Sequence, residues 1–197
     1  AVGEALGAFT ELAPTFQGAR QWRLHGVEAM NPNDGALLGR DIFPTVRAEA
    51  AGDDGAALRV AMGDGNPAAT APWQAVAESS GALSLGSMTP MQAPQPLVSF
   101  ANAITRTDRQ GQPFGGGEPG HRLSREAALA AITVNPASAS GMAGFTGTLM
   151  PGMRADYVLI DGDPMTAMPG ALRATTVKAL YMDGRKVFDR DSIDIAP

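Results

Sequence analysis

The side chains in this sequence that could do chemistry beyond packing are few and scattered. Two histidines are present, His25 in Arg23-Leu24-His25-Gly26-Val27 and His121 in Glu118-Pro119-Gly120-His121-Arg122, and cysteine is absent. Imidazole binds borderline divalent ions and carries protons near neutral pH, but a zinc site takes three or four protein ligands. Two histidines without thiolates do not make a three-histidine site. By itself His25 is expected to be a partly buried residue bonded to backbone, and His121, flanked by turn and polar residues, a solvated loop residue. Asp161, Asp163 and Asp183 stand at strand ends and turns, where carboxylates commonly bond nearby backbone amides. Gly115-Gly116-Gly117 lacks the GxxxxGK[ST] frame of a phosphate loop and follows no strand, so a lid or linker is expected. Ser87 has no His-Asp pair at a recognisable spacing. The ten methionines are expected to fill gaps in the core.

The elements that position these residues alternate in type. Val2, Leu6, Phe9 and Leu12 recur at helical spacing and predict an amphipathic helix over residues 1–13, ended by Pro14. Residues 22–27 predict a short strand, 31–34 a turn capping a helix over 35–40, and 42–46 a strand interrupted by Pro44. Residues 49–70 are rich in Ala, Gly and Asp and read as loop. A short helix starts at Pro72, which suits a first helical turn. A strand over 82–85 ends in Gly86-Ser87, and the prolines between Thr89 and Pro96 exclude a helix or central strand there. Helices follow over 97–106 and 125–132, the second capped by Ser124. Between them, residues 107–120 are a polar, glycine-rich loop.

Past residue 147 the pattern changes. Tyr157-Val158-Leu159-Ile160 is a β-branched and aromatic run that reads as a buried strand, stopped by Gly162-Asp163-Pro164. Residues 177–182 and 185–188 predict two more strands, joined by Asp183-Gly184. An Asp-Gly pair suits a tight hairpin, whose two central residues need positive φ. Alternating helices and strands followed by strands joined through turns give the class α/β and then β.

The composition is that of a globular chain with a real core: 197 residues, 44% hydrophobic, formal net charge −5. With two lysines, Lys178 and Lys186, there is no clustered basic footprint, so nucleic acid is excluded as a partner. No stretch approaches the roughly 18 apolar residues of a membrane span, and no signal peptide opens the chain. A cytoplasmic setting is the default expectation, with a signal peptide lost alongside any upstream segment as the alternative.

The segment Gly147 to Pro164, GTLMPGMRADYVLIDGDP, followed by a strand and a hairpin ending in DGRKVFD, resembles the closing segment of metal-dependent amidohydrolases of the amidohydrolase 3, or YtcJ-like, branch. Leu123-Ser124-Arg125-Glu126-Ala127-Ala128-Leu129 through Asn135-Pro136-Ala137 resembles the helix before it. Pro96-Leu97 through Ile104-Thr105-Arg106 resembles the helix after the last barrel strand. The resemblance implies the C-terminal part of a TIM-type (β/α)8 barrel over residues 1–136, with its mouth loops, and strands of a small β-sandwich over residues 137–197. A whole barrel takes about 250 residues, so the chain is expected to match the final third of a family member. A homo-oligomer or a missing N-terminal segment would then complete it.

The same resemblance implies hydrolysis of carbon–nitrogen (non-peptide) bonds in a small-molecule substrate, with a divalent metal, zinc by family habit, activating water. Two positions of the family's site fall within this chain. The strand usually reading Arg-Ile-Glu-His-Ala is Arg23-Leu24-His25-Gly26-Val27 here. His25, the candidate metal ligand, therefore sits one residue early, which in a strand turns a side chain to the opposite face unless a bulge compensates. The catalytic aspartate of Gly-Ser-Asp is replaced in Gly86-Ser87-Met88, and Met88 neither takes a proton nor holds a hard metal. The resemblance thus leaves two expectations: the C-terminal part of a hydrolase that is inactive alone, or a non-catalytic remnant of the fold serving as a binding or assembly module.

Overall fold

A computed structural model describes residues 1–39, 41–48, 72–87, 89–90, 93–107 and 119–192. The periodic apolar residues at the start form helix α1 (Val2–Leu12), which buries Leu6 completely. Phe9 of the same helix stacks on Trp22, ring centroids 4.9 Å apart. Pro14 lies in a 3-10 turn, Ala13–Thr15, that closes the helix.

Strands β1 (Trp22–His25), β2 (Ile42–Val46) and β3 (Ser84–Leu85) make a parallel sheet in sequential order. β2 is central and continuous through Pro44, which pairs with Leu24, so the expected interruption does not occur. The reason is the direction of the missing donor. The carbonyls of Asp41 and Thr45 face β1, where they accept from Trp22 and Gly26. Alternation turns Pro44 toward β3, whose pairing begins one residue later at Thr45. No ladder bond is lost. The turn between β1 and β2 also differs from expectation: it is a 3-10 helix starting at Pro32 (Pro32–Leu37). The Asn31 side chain accepts from the Asn33 amide at 3.0 Å and sets this early start.

One face of the sheet is sealed. Ile42 and Val46 are buried, and Trp22, Leu24 and Leu85 pack against the same cluster. The cover consists of α1, α2 (Trp73–Ser80), α3 (Pro96–Thr105) and α4 (Arg125–Ile132). Trp73 is fully buried with the Arg106 guanidinium 5.3 Å from its ring centroid. Arg106 ends α3 in the left-handed conformation. As expected, Ser124 caps α4, accepting from the Ala127 amide at 3.1 Å. A short helix, α5 (Val134–Ala139), follows, and its Asn135 donates to the Leu83 carbonyl at 2.8 Å, tying the helix to the start of β3.

The C-terminal strands β4 (Tyr157–Ile160), β5 (Val177–Met182) and β6 (Arg185–Asp189) form the expected antiparallel sheet. Asp183 and Gly184 both have positive φ, 53° and 75°, as the two-residue hairpin requires. Two features depart from the sequence reading. β4 is not buried: Val158 and Leu159 are 48% and 47% exposed, and Leu180, Met182 and Val187 are exposed beside them. A helix also stands between β4 and β5, α6 (Pro169–Ala174), opened by Pro169 at its first turn. Its Leu172 enters the core of the first sheet at 1% exposure, a burial worth about 1.5–3 kcal/mol. Among the described residues no helix is long and apolar enough to cross a membrane.

Gly147 shows how closely the two parts meet. It has φ +94°, and a Cβ there would lie 2.8 Å from the Ala137 Cβ and 3.1 Å from the Val134 Cα. Gly147→Ala combines left-handed strain with a clash against α5, so a loss of about 2–4 kcal/mol is expected. Chemical denaturation of the two proteins checks it, and an unchanged midpoint would contradict the packing described.

Candidate functional site

In a parallel sheet, ligands gather at the carboxyl ends of the strands. Here those ends are pinned together. The Thr45 carbonyl accepts from both Gly26 N (3.0 Å) and Val27 N (3.2 Å), and Gly86 N donates to the Val46 carbonyl at 2.9 Å. The ends of β1, β2 and β3 therefore form one level rim, and His25, Arg47 and Gly86-Ser87 stand on it.

The pairing also places His25 on a face. Trp22 and Leu24 share the helix-covered side with Ile42 and Pro44, so Arg23 and His25 share the other with Phe43 and Thr45. Ser84, opposite Thr45 in β3, continues the row. His25 thus ends β1 on the side that the helices leave uncovered. It is exposed and makes no hydrogen bond or ion pair among the described residues. This differs from the partly buried, backbone-bonded histidine expected from the sequence, because β1 is an edge strand within the described sheet. In the same row Ser84 is 4% exposed and its hydroxyl has no partner among the described residues.

One rim residue went unread in the sequence. Glu28 is 7% exposed, and its Oε1 accepts from Arg47 N at 3.0 Å and Arg47 Nε at 2.7 Å. The carboxylate takes the place of the next ladder carbonyl, extending the β1–β2 register by one side chain. Gly26, with φ +83°, lets the chain turn under it in a backbone conformation that other residues rarely adopt. The available signal was an acidic residue three positions beyond a strand-ending histidine.

The remaining candidates separate. Met88 and Gly115–Gly117 lie outside the described residues. Ser87 shares a hydrogen bond with Thr89, 3.1 Å between hydroxyl oxygens. His121 lies in a 3-10 turn, Pro119–His121, and is half-buried rather than solvated. The three aspartates do not form a cluster but serve turns. Asp161 accepts from the Thr176 hydroxyl and, at 2.7 Å, from its amide. Asp163 accepts from the Thr166 hydroxyl at 2.7 Å and from Met165 N at 2.9 Å. Asp183 sits in the hairpin turn and donates its amide to Asp156 at 2.7 Å. A groove of about 350 Å³ lies beside Tyr157, Met150 and Arg154, away from the rim.

These turn bonds hold carboxyls below their ordinary range. The Thr176 hydroxyl and amide lower Asp161, the Thr166 hydroxyl and Met165 amide lower Asp163, and the Asp183 amide lowers Asp156.

A model of the amidohydrolase family matches residues 27–188. The chain belongs to the amidohydrolase family. It is 32% identical over 108 residues to an N-substituted formamide deformylase of Arthrobacter pascens, a match covering 55% of this chain and 19% of that protein. It is 43% identical over 68 residues to an imidazolonepropionase of Thermoplasma volcanium, covering 34% and 17% of the two. Among solved structures, an uncharacterized metal-dependent hydrolase from Pyrococcus horikoshii superposes with a TM-score of 0.68 at 18% identity, over 84% of this chain and 32% of that one. The chain thus spans about a fifth of these curated relatives and about a third of the solved structure.

Two predictions follow from the bonds described. Arg47→Ala removes the guanidinium from a nearly buried Glu28 carboxylate and leaves it only the backbone amide of residue 47, and a loss of about 1–3 kcal/mol is expected by thermal or urea unfolding. The three lowered aspartates bind their protons more tightly when unfolded. Their contribution to stability is complete above the ordinary value of 3.8 and is lost as the pH falls through their lower folded values. Hydrogen exchange of the Asp183 and Thr176 amides is expected to accelerate at the acid end of this range, and protection unchanged down to about pH 2 would contradict it.

Proposed function

We propose that this chain is the C-terminal part of an amidohydrolase that hydrolyses carbon–nitrogen bonds other than peptide bonds in a small molecule. Residues 1–136 would contribute the last strands and mouth loops of a (β/α)8 barrel, and residues 137–197 part of a small β-sandwich. The observation that supports this most directly is the sequential parallel order β1-β2-β3, with helices on one face and His25 at the rim of the other. The names of the similar proteins, a deformylase and an imidazolonepropionase, are consistent with bonds of this kind. Trp22 N and Gly26 N both donate to β2, so the backbone of Arg23 and His25 faces a side on which no described strand pairs. Further strands, from an upstream segment or from a second copy, are proposed to fill that edge.

A divalent metal, zinc by family habit, would supply a water of lowered pKa as nucleophile. The donors on the rim suit it in type, since imidazole nitrogen and carboxylate oxygen are both zinc ligands. Among the described residues no three His, Cys, Asp or Glu side chains converge on one point. The described rim therefore offers part of a ligand set, and no catalytic step is assigned to it. A second reading, a non-catalytic module with the same fold, is favoured by Met88 where the family's aspartate would stand. Loss of a general base costs about 10²–10⁴ in rate.

The two readings separate by metal analysis and activity of the protein expressed from its full gene. A hydrolase is expected to carry about one or two zinc-like ions per chain and to lose turnover of N-formyl or cyclic amide substrates on chelation. Met88→Asp is expected to raise that turnover by about 10²-fold or more. Absence of both metal and turnover, with no gain in the variant, would leave the non-catalytic module.

A further inference from the structure

We draw no further inference here: the strongest candidate, the exposed apolar face of the β4–β5–β6 sheet around Val158, Leu180 and Met182, carries none because nothing in the structure shows what covers it.

Discussion

The Thr45 carbonyl is the point on which the geometry of this chain depends. By accepting from Gly26 and Val27 together it ends β1 and β2 at one height, and the Gly86 to Val46 bond brings β3 to the same level. Gly86 is needed for that approach, because a Cβ there would meet the Thr45 methyl at 2.9 Å. From this follow the position of His25 at the end of β1, the turn at Gly26, and the reach of Glu28 back to the Arg47 amide. The rim is a consequence of backbone bonding first and of side-chain chemistry second.

The C-terminal segment is held to this frame by polar clamps more than by broad apolar contact. Arg125 donates to the carbonyls of Pro164 and Ala167, and Arg173 donates to Asn102, Thr105 and Thr107 on and after α3. Asn102, fully buried, also reaches the Ala48 carbonyl just past β2 at 3.5 Å. Leu172 is the apolar anchor between these clamps. The antiparallel sheet carried by this segment keeps Val158, Leu159, Met182 and Val187 about half exposed. Its stacked Tyr157–Tyr181 pair, centroids 4.5 Å apart, stabilises the sheet across strands without covering it.

Much of this was legible in the residues. The spacing of Leu6 and Phe9, the Ser124 cap, the strand at 177–182 and the Asp183-Gly184 hairpin are local signals, and local physics decides them. Pro44 misled because a proline's effect depends on which neighbour its nitrogen faces, and that is a property of the sheet. Exposure of β4 was likewise beyond the sequence, since an apolar run states what could be buried and not what lies against it. α6 was hidden in a short connection, although Pro169 marked its start. The role of Glu28 needed the register of β1 against β2, because nothing in the stretch Gly26 to Arg47 shows that two residues 19 apart share a bond.

The central claim is that the carboxyl ends of β1, β2 and β3 are the working edge of an amidohydrolase. The most direct test is an anomalous-difference map from crystals of the protein expressed from its full gene and loaded with zinc. The account predicts a peak at the carboxyl ends of these strands, about 2.0–2.2 Å from a His25 ring nitrogen. A fully occupied zinc bound away from these strand ends, with His25 uncoordinated, would contradict it.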